Sequence, residues 1–299
     1  MNMSVKVNWQ TRPTVGERTK FLLNSGLFSD VEFMVRKSDG ESESKKVISA
    51  QKFVLSINSP VFETMFYRKL AETRDSIELP DCEYESLLEL FRYMYSDEVN
   101  LNGRKVIGVL LYLAKKYMVS TLVERCTEYL IDHLDPSDVF NILPTAEKYE
   151  EKNLVDRCWK VIDKQTEATV KSDGFATIDR SLLEQLVVRD TLSITEVDLF
   201  QTVDVWATKQ CEKQGLAVNG GLKRRILGEE IIKAIRFPVM RQVEFEDVVL
   251  DAKILTPDEI VMVFKFSNLT LTSPVGFPDT RRSGSILRCR RFQSVLLGS

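Results

Sequence analysis

The sequence predicts an α+β domain followed by an all-helical domain, and three observations carry that prediction. Val31, Phe33 and Val35 alternate between Asp30 and Arg36 with the period of a strand, and Ile77 and Leu79 resume it. Three helical stripes then follow. Leu87, Leu88, Phe91, Met94 and Tyr95 mark the first; Val106, Val109, Leu110, Leu113, Ala114 and Tyr117 the second; Leu122, Val123, Cys126, Tyr129 and Leu130 the third. Beyond Leu134, helix-start signals recur and no strong strand pattern appears between 135 and 267. A length of 299 residues suits about two domains of roughly 150 each, and an apolar fraction of 43% is enough for packed cores.

Taken in order, residues 1–12 read as a loose tail. Val15, Phe21, Leu22 and Leu23 suggest a short helix between Pro13 and Gly26, with Gly26 free to end it at positive φ. Asp39-Gly40 is a hairpin turn signal in a polar stretch, and Val47 to Ser49 is its return strand. The run from Val47 to Glu72 organises this half. Phe53, Val54, Leu55 and Ile57 form one short helix, and Ser59-Pro60 starts a second, because Ser caps free amides and Pro suits the first helical position. Val61, Phe62, Met65 and Phe66 give that second helix an apolar face. Two helices so short and apolar need a domain built around them.

In the second half, Asp135-Pro136 reads as a helix start, with Leu134 and Val139 as its hydrophobic staple. Val139, Ile142, Leu143 and Ala146 form one stripe, and Leu154, Val155, Cys158, Trp159 and Ile162 another. Ser193-Ile194-Thr195-Glu196 reads as a capping box opening a helix with Phe200, Val203, Trp206, Ala207 and Cys211; Thr256-Pro257-Asp258-Glu259 repeats the device.

Composition and residue inventory narrow the function classes. A net charge of −3 does not by itself call for nucleic acid or membrane, and the longest apolar runs fall far below the ~20 residues of a membrane span. The N-terminal stretch lacks the apolar core of a signal peptide. The five cysteines are scattered and odd in number, as expected of reduced thiols in a cytoplasmic or nuclear protein. His133 is the only histidine, which excludes two-histidine metal sites; its place before Asp135-Pro136 suits a helix C-terminus. Neither a phosphate-binding P-loop nor a GxGxxG fingerprint occurs. No catalytic constellation, metal or cofactor is expected.

Ser29-Asp30-Val31-Glu32-Phe33, Ala50-Gln51-Lys52-Phe53-Val54-Leu55 and Ser59-Pro60-Val61-Phe62-x-x-Met65-Phe66 together resemble the BTB (POZ) domain. The pattern departs from the family at Gln51, where His is common. The resemblance implies a BTB domain over 13–134 whose first helix packs on a second copy, making a homodimer. It also implies that Asp30 and Lys52 belong to the charged pocket of BTB dimers, with a structural role as the alternative. Leu70-Ala71-Glu72 fits the apolar-x-Glu motif that cullin-binding BTB domains place on a loop: an apolar side chain fills a partner pocket, and a carboxylate accepts hydrogen bonds. Without that resemblance, Leu70 would cover the domain edge and Glu72 be solvated. Tyr95 matches a tyrosine that such adaptors turn towards cullin, or else is a core aromatic on its helix stripe.

Leu182-Leu183-x-x-Leu186, Leu192 to Trp206, Ile235-Arg236-Phe237-Pro238-Val239-Met240 and Leu255-x-x-Asp258-Glu259 resemble the BACK domain, here over 135–267. Arg157-Cys158-Trp159-x-Val161-Ile162-Asp163 and Leu227-Gly228 point to the BTB–BACK–PHR subgroup. Within 268–299, Phe277 to Arg282 and Arg288 to Ser294 look like the opening of a PHR β-sandwich, which about thirty residues are too few to complete. Residues from about 273 to 299 are therefore expected to be poorly ordered, with few partners for strands there, and arginines 281, 282, 288, 290 and 291 are either part of that incomplete fold or available to nucleic acid. The family resemblance implies a non-enzymatic substrate adaptor of a cullin-3 ubiquitin ligase, with cullin-3, a second copy and an unknown protein substrate as partners. The alternative is a BTB scaffold or transcriptional regulator that dimerises without cullin.

Overall fold

The computed structural model describes residues 8–36, 45–69, 71–72, 74–101, 104–268 and 276–284. The chain divides into two units, Met1–His133 and Leu134–Ser299.

In the first unit, α1 (Val15–Leu22) precedes β1 (Val31–Arg36), β2 (Lys45–Ala50), α2 (Lys52–Asn58), α3 (Pro60–Tyr67), β3 (Ser76–Glu83), α4 (Tyr84–Ser96), α5 (Arg104–Lys116) and α6 (Ser120–Asp132). β1 is central in the order β2-β1-β3. It runs antiparallel to β2, with Phe33 opposite Ile48, and parallel to β3, with Phe33 opposite Ile77. The alternation in β1 does what its period implies: Val31, Phe33 and Val35 are buried and Glu32 is exposed.

The ring of Phe62 on α3 lies at the centre of the core. It stacks on Tyr117 at 4.5 Å and on Phe66 at 5.9 Å, and meets Phe33 and Phe91 edge-on at 5.9 and 5.8 Å. Ser59 anchors α3 in place. Its hydroxyl accepts from Phe62 N at 3.2 Å, capping the helix as expected, and donates to the Tyr117 carbonyl at 2.6 Å. Pro60 fills the first helical position.

Two local expectations change in this unit. The tail 1–12 is docked from Trp9 to Arg12, because Trp9 stacks on Phe21 at 6.1 Å and the Arg12 guanidinium lies 5.1 Å over the same ring. α1 stops at Leu22; Asn24 already takes positive φ, and Gly26, also at positive φ, lies in the turn beyond. The expected Asp39-Gly40 turn falls outside the described residues. His133 ends α6 as its position suggested. Its backbone N–H donates to the Tyr129 carbonyl and its ring stacks on Tyr129 at 4.1 Å.

The second unit is helical, with no strand among its described residues. It contains α7 (Val139–Lys148), α8 (Lys152–Lys164), α9 (Thr166–Val170), α10 (Arg180–Val187), α11 (Glu196–Lys213), α12 (Gly220–Ala234), α13 (Gln242–Glu244), which runs on as a π-helical stretch (Phe245–Leu250), and α14 (Pro257–Ser267). Asp135-Pro136 forms a turn rather than a helix start: the Asp135 carboxylate accepts from Ser137 N and Oγ, and α7 begins at Val139. Gly228 sits at φ 77° and kinks α12; a Cβ there would lie 2.3 Å from Arg180.

The two sequence-level capping boxes part ways. Thr256 and Glu259 form one as expected: Glu259 N donates to Thr256 Oγ1 at 3.3 Å and Thr256 N to Glu259 Oε2 at 2.8 Å. At α11 the cap is Thr195, accepting from Asp198 N at 3.2 Å. Ser193 N is held by the Asp163 carbonyl and Thr166 Oγ1, and Glu196 turns inward to meet Arg282. Residues 276–284, expected to have few partners, instead pack on this unit through buried Phe277 and Arg282.

Cys82, Cys126, Cys158 and Cys211 are buried free thiols, and burial pushes Cys126 and Cys158 up to about 12, far from the thiolate. Cys289 lies outside the described residues.

Glu259 gives the helical unit an acid limit. Burial pushes its carboxyl up, but hydrogen bonds from Arg224, Lys233 and Thr256 N outweigh this and hold it at about 2. A depressed carboxyl contributes stability that is present above its unfolded value of about 4.5 and lost as pH falls through about 2. The contribution is roughly 3 kcal/mol at neutral pH. Glu259→Gln is expected to melt lower than wild type at pH 7 and to lose much of that deficit by pH 2–3; a constant deficit across that range in thermal scans contradicts the assignment.

Candidate partner-binding surfaces

The segment between α3 and β3 carries the predicted motif. Leu70 lies outside the described residues; Ala71 and Glu72 are half-buried. The segment folds back on the helix before it: Ala71 N donates to the Arg68 carbonyl at 2.9 Å and Glu72 N to the Met65 carbonyl at 2.8 Å. At its far end, the Asp75 carbonyl accepts from Glu32 N at 2.7 Å, joining the loop to the sheet. The loop is thus pinned on both sides. The Glu72 carboxylate accepts from Arg74 N at 3.0 Å and keeps 36% of its side chain exposed, so acceptor positions remain for a partner. Arg68 pairs with Glu63 at 2.6 Å on the exposed side of α3.

Asp30 and Lys52 meet, but not as an ion pair. Asp30 Oδ1 accepts the backbone N–H of Lys52 at 2.7 Å, taking one of the free amides at the start of α2, where Gln51 offers no side-chain cap. The Lys52 ammonium instead reaches Asp75 Oδ1 at 3.3 Å, which ties α2 to the end of the motif loop. These contacts give both residues structural work within one chain.

Tyr95, read from the sequence as either a cullin-facing tyrosine or a core aromatic, is buried within this chain. It is 3% exposed. Its hydroxyl accepts from Gln51 N at 2.8 Å and donates to Gln51 Oε1, and burial raises its pKa. Gln51 Nε2 reaches on to the Leu27 carbonyl at 2.7 Å. Gln51 therefore fills the position where BTB domains often carry His with a side-chain amide that bonds in two directions, while its backbone N–H makes a third bond. The alternative reading of Tyr95 as a core aromatic is the one the geometry matches.

The apolar face expected of the helix at 13–25 and its neighbours is present on α1, the turn before β1 and α2. Val15 is 66% exposed, Phe28 74%, Phe53 64% and Ile57 65%. Phe53 and Ile57 were assigned to an apolar helix without regard to facing; at i and i+4 they lie on one side of α2, away from buried Leu55. Among the described residues no group of three or more His, Cys, Asp or Glu could hold a metal ion, and no helix is long and apolar enough to cross a membrane.

Comparison with known proteins agrees with this division. Residues 20–134 match the BTB/POZ domain, and residues 139–250 match the BACK domain, described as BTB And C-terminal Kelch. BTB/POZ domain-containing protein 6 of Homo sapiens is 38% identical over 284 residues, covering 95% of this chain and 52% of that protein. BTB/POZ domain-containing protein 6-A of Danio rerio is 38% identical over 296 residues, covering 98% of this chain and 54% of the relative. BTB/POZ domain-containing protein 3 of Homo sapiens is 35% identical over 295 residues, covering 98% and 55%. The chain spans about half the length of the curated relatives it matches.

Because the Tyr95 hydroxyl satisfies two buried groups of Gln51, Tyr95→Phe leaves a donor and an acceptor unpaired. It is expected to destabilise the first unit by about 1–3 kcal/mol. Thermal or urea unfolding that matches wild type contradicts this placement of the hydroxyl.

Proposed function

We propose that this chain, which carries a BTB/POZ domain followed by a BACK domain and is homologous to the BTB/POZ domain-containing proteins 6 and 3, is a non-catalytic substrate adaptor of a cullin-3 ubiquitin ligase. The observation that carries the reading is the motif loop. It is hydrogen-bonded to α3 through Glu72 N and to the sheet through Asp75, and it keeps part of the Glu72 carboxylate open. A segment pinned at both ends loses little freedom on binding, which favours a protein partner. Leu70, beside it in sequence, supplies the apolar anchor. The chemistry is proximity: the ligase brings the charged ubiquitin conjugate, and the adaptor raises the effective concentration of its acceptor. In this reading the substrate falls to a PHR-like domain, whose opening residues 277–282 and 288–294 resemble. The compartment is the cytoplasm, with the nucleus as a second site.

Dimerisation belongs to the same reading. Val15 and Phe28, together with Phe53 and Ile57 of α2, expose large apolar side chains that a monomer seldom leaves in water, and a twofold pairing of like surfaces is the commonest way to cover them. The second reading, a dimeric BTB scaffold without cullin, is favoured by one contact: Glu72 spends part of its acceptor capacity on its own loop at Arg74.

Two measurements test these readings. Calorimetry with the N-terminal cullin-3 domain is expected to show Leu70→Ala losing roughly 2 kcal/mol or more, about thirtyfold in affinity, and Glu72→Ala losing about 1–3 kcal/mol. Lys69→Ala, an exposed neighbour, is expected to bind like wild type. Folded Leu70→Ala and Glu72→Ala proteins with wild-type affinity refute the motif; absence of binding by wild type at micromolar concentration favours the scaffold. Light scattering is expected to return twice the 34.3 kDa chain mass at micromolar concentration, and a monomer mass contradicts the dimer.

A further inference from the structure

Residues 276–284 lie beyond the stretch that matches the BACK domain, yet they fill a groove in the helical unit. Arg282 is 1% exposed. Its Nε donates to Glu196 Oε1 at 2.6 Å, and its Nη2 lies 3.4 Å from Glu196 Oε2. Nη1 donates to the Val187 carbonyl at 2.8 Å and to the Arg189 carbonyl, and Nη2 to the Ala234 carbonyl at 3.3 Å. Val187 and Ala234 are the last residues of α10 and α12. Carbonyls at helix C-termini lack intrahelical donors and sit at the negative end of the helix dipole. Together with a carboxylate at the start of α11, they make a receptor shaped for a planar cation with several donors.

Contacts on either side of Arg282 define the rest of the ligand. Phe277 meets the Phe237 ring edge-on at 5.1 Å, with the Lys233 ammonium 4.3 Å over its own face. Arg236 Nη1 donates to the Thr280 carbonyl at 2.8 Å, and Arg236 also pairs with Asp190 at 2.9 Å, which holds it in position. Ser283 Oγ donates to the Asp190 carbonyl at 3.1 Å. At Gly284 a Cβ would fall 2.2 Å from the Thr191 carbonyl oxygen, so the backbone approach there requires glycine.

We propose that the helical unit contains a guanidinium-binding groove that takes a segment with an aromatic residue five positions before an arginine, and that residues 277–284 of this chain are its occupant in cis. The groove is a binding site in its own right and does not depend on the adaptor reading. Its occupant acts as a clasp: one arginine ties the ends of α10 and α12 to the start of α11, and the chain leaves Gly284 from a fixed point on the domain. The arginine at 282 is thereby committed to protein and not to nucleic acid, whereas Arg281 next to it remains exposed.

Two experiments on the full chain test the proposal. Arg282→Ala leaves the buried Glu196 carboxylate without its charged partner, with only the Arg236 N–H still donating to it, and is expected to lower the melting midpoint of the helical unit by about 10 °C. Millimolar methylguanidinium is expected to raise the midpoint of Arg282→Ala and to leave wild type and the double variant Arg282→Ala/Glu196→Gln unchanged. Equal shifts in all three proteins, or none in Arg282→Ala, overturn the groove. Limited trypsin digestion decides the matter even where Arg282→Ala does not fold. Cleavage after Arg282 requires its side chain to leave the groove, so wild type is expected to be cut there at least about tenfold more slowly than Gly284→Ala, in which the clasp is displaced sterically and the arginine kept. Equal cleavage rates overturn the clasp.

Discussion

The first unit depends on Phe62. Its ring touches the central strand through Phe33, its own helix through Phe66, α4 through Phe91 and the end of α5 through Tyr117. Removing such a ring from a closed core costs about 3–5 kcal/mol, a large share of a domain's net stability. Ser59 fixes the angle at which α3 presents that ring, through one hydroxyl that both caps the helix and bonds to the Tyr117 carbonyl. The motif loop leaves from the far end of the same helix and is bonded back to Met65. The described residues of that loop are therefore tied to the core through α3.

The helical unit closes differently. Its decisive contacts are buried carboxylates paired with cations from distant parts of the chain: Glu196 with buried Arg282, and Glu259 with half-buried Arg224 and Lys233. Such groups add little net stability relative to apolar residues, yet losing one partner of a pair is costly. They select one arrangement of helix ends over others that would bury as much apolar surface.

Much of this was legible from local pattern. The strand alternation at Val31, Phe33 and Val35, the Ser59-Pro60 helix start and the Thr256 capping box each concern residues within a few positions of one another, and the structure realises each. What escaped the sequence was long-range pairing. Glu196 has the spacing of a capping residue, and only the arrival of an arginine 86 positions later explains why it turns inward. Tyr95 sits on an apolar stripe that suits core or contact equally, and its buried bond to the Gln51 amide comes from 44 positions away. Asp30 and Lys52 read as members of a charged dimer pocket or as structural residues, and within this chain the side chain of one bonds the backbone of the other. The apolar exposure of Phe53 and Ile57 depends on which way α2 faces, and periodicity over seven residues does not fix that facing against the neighbouring α3.

In the proposed adaptor, the pinned loop after α3 holds cullin-3. The most direct measurement is amide hydrogen exchange of the full chain with and without a saturating amount of the N-terminal cullin-3 domain. The account predicts added protection over Met65 to Asp75 while the β1 amides stay as they are. Binding that protects only other surfaces, and leaves that loop unchanged, contradicts it.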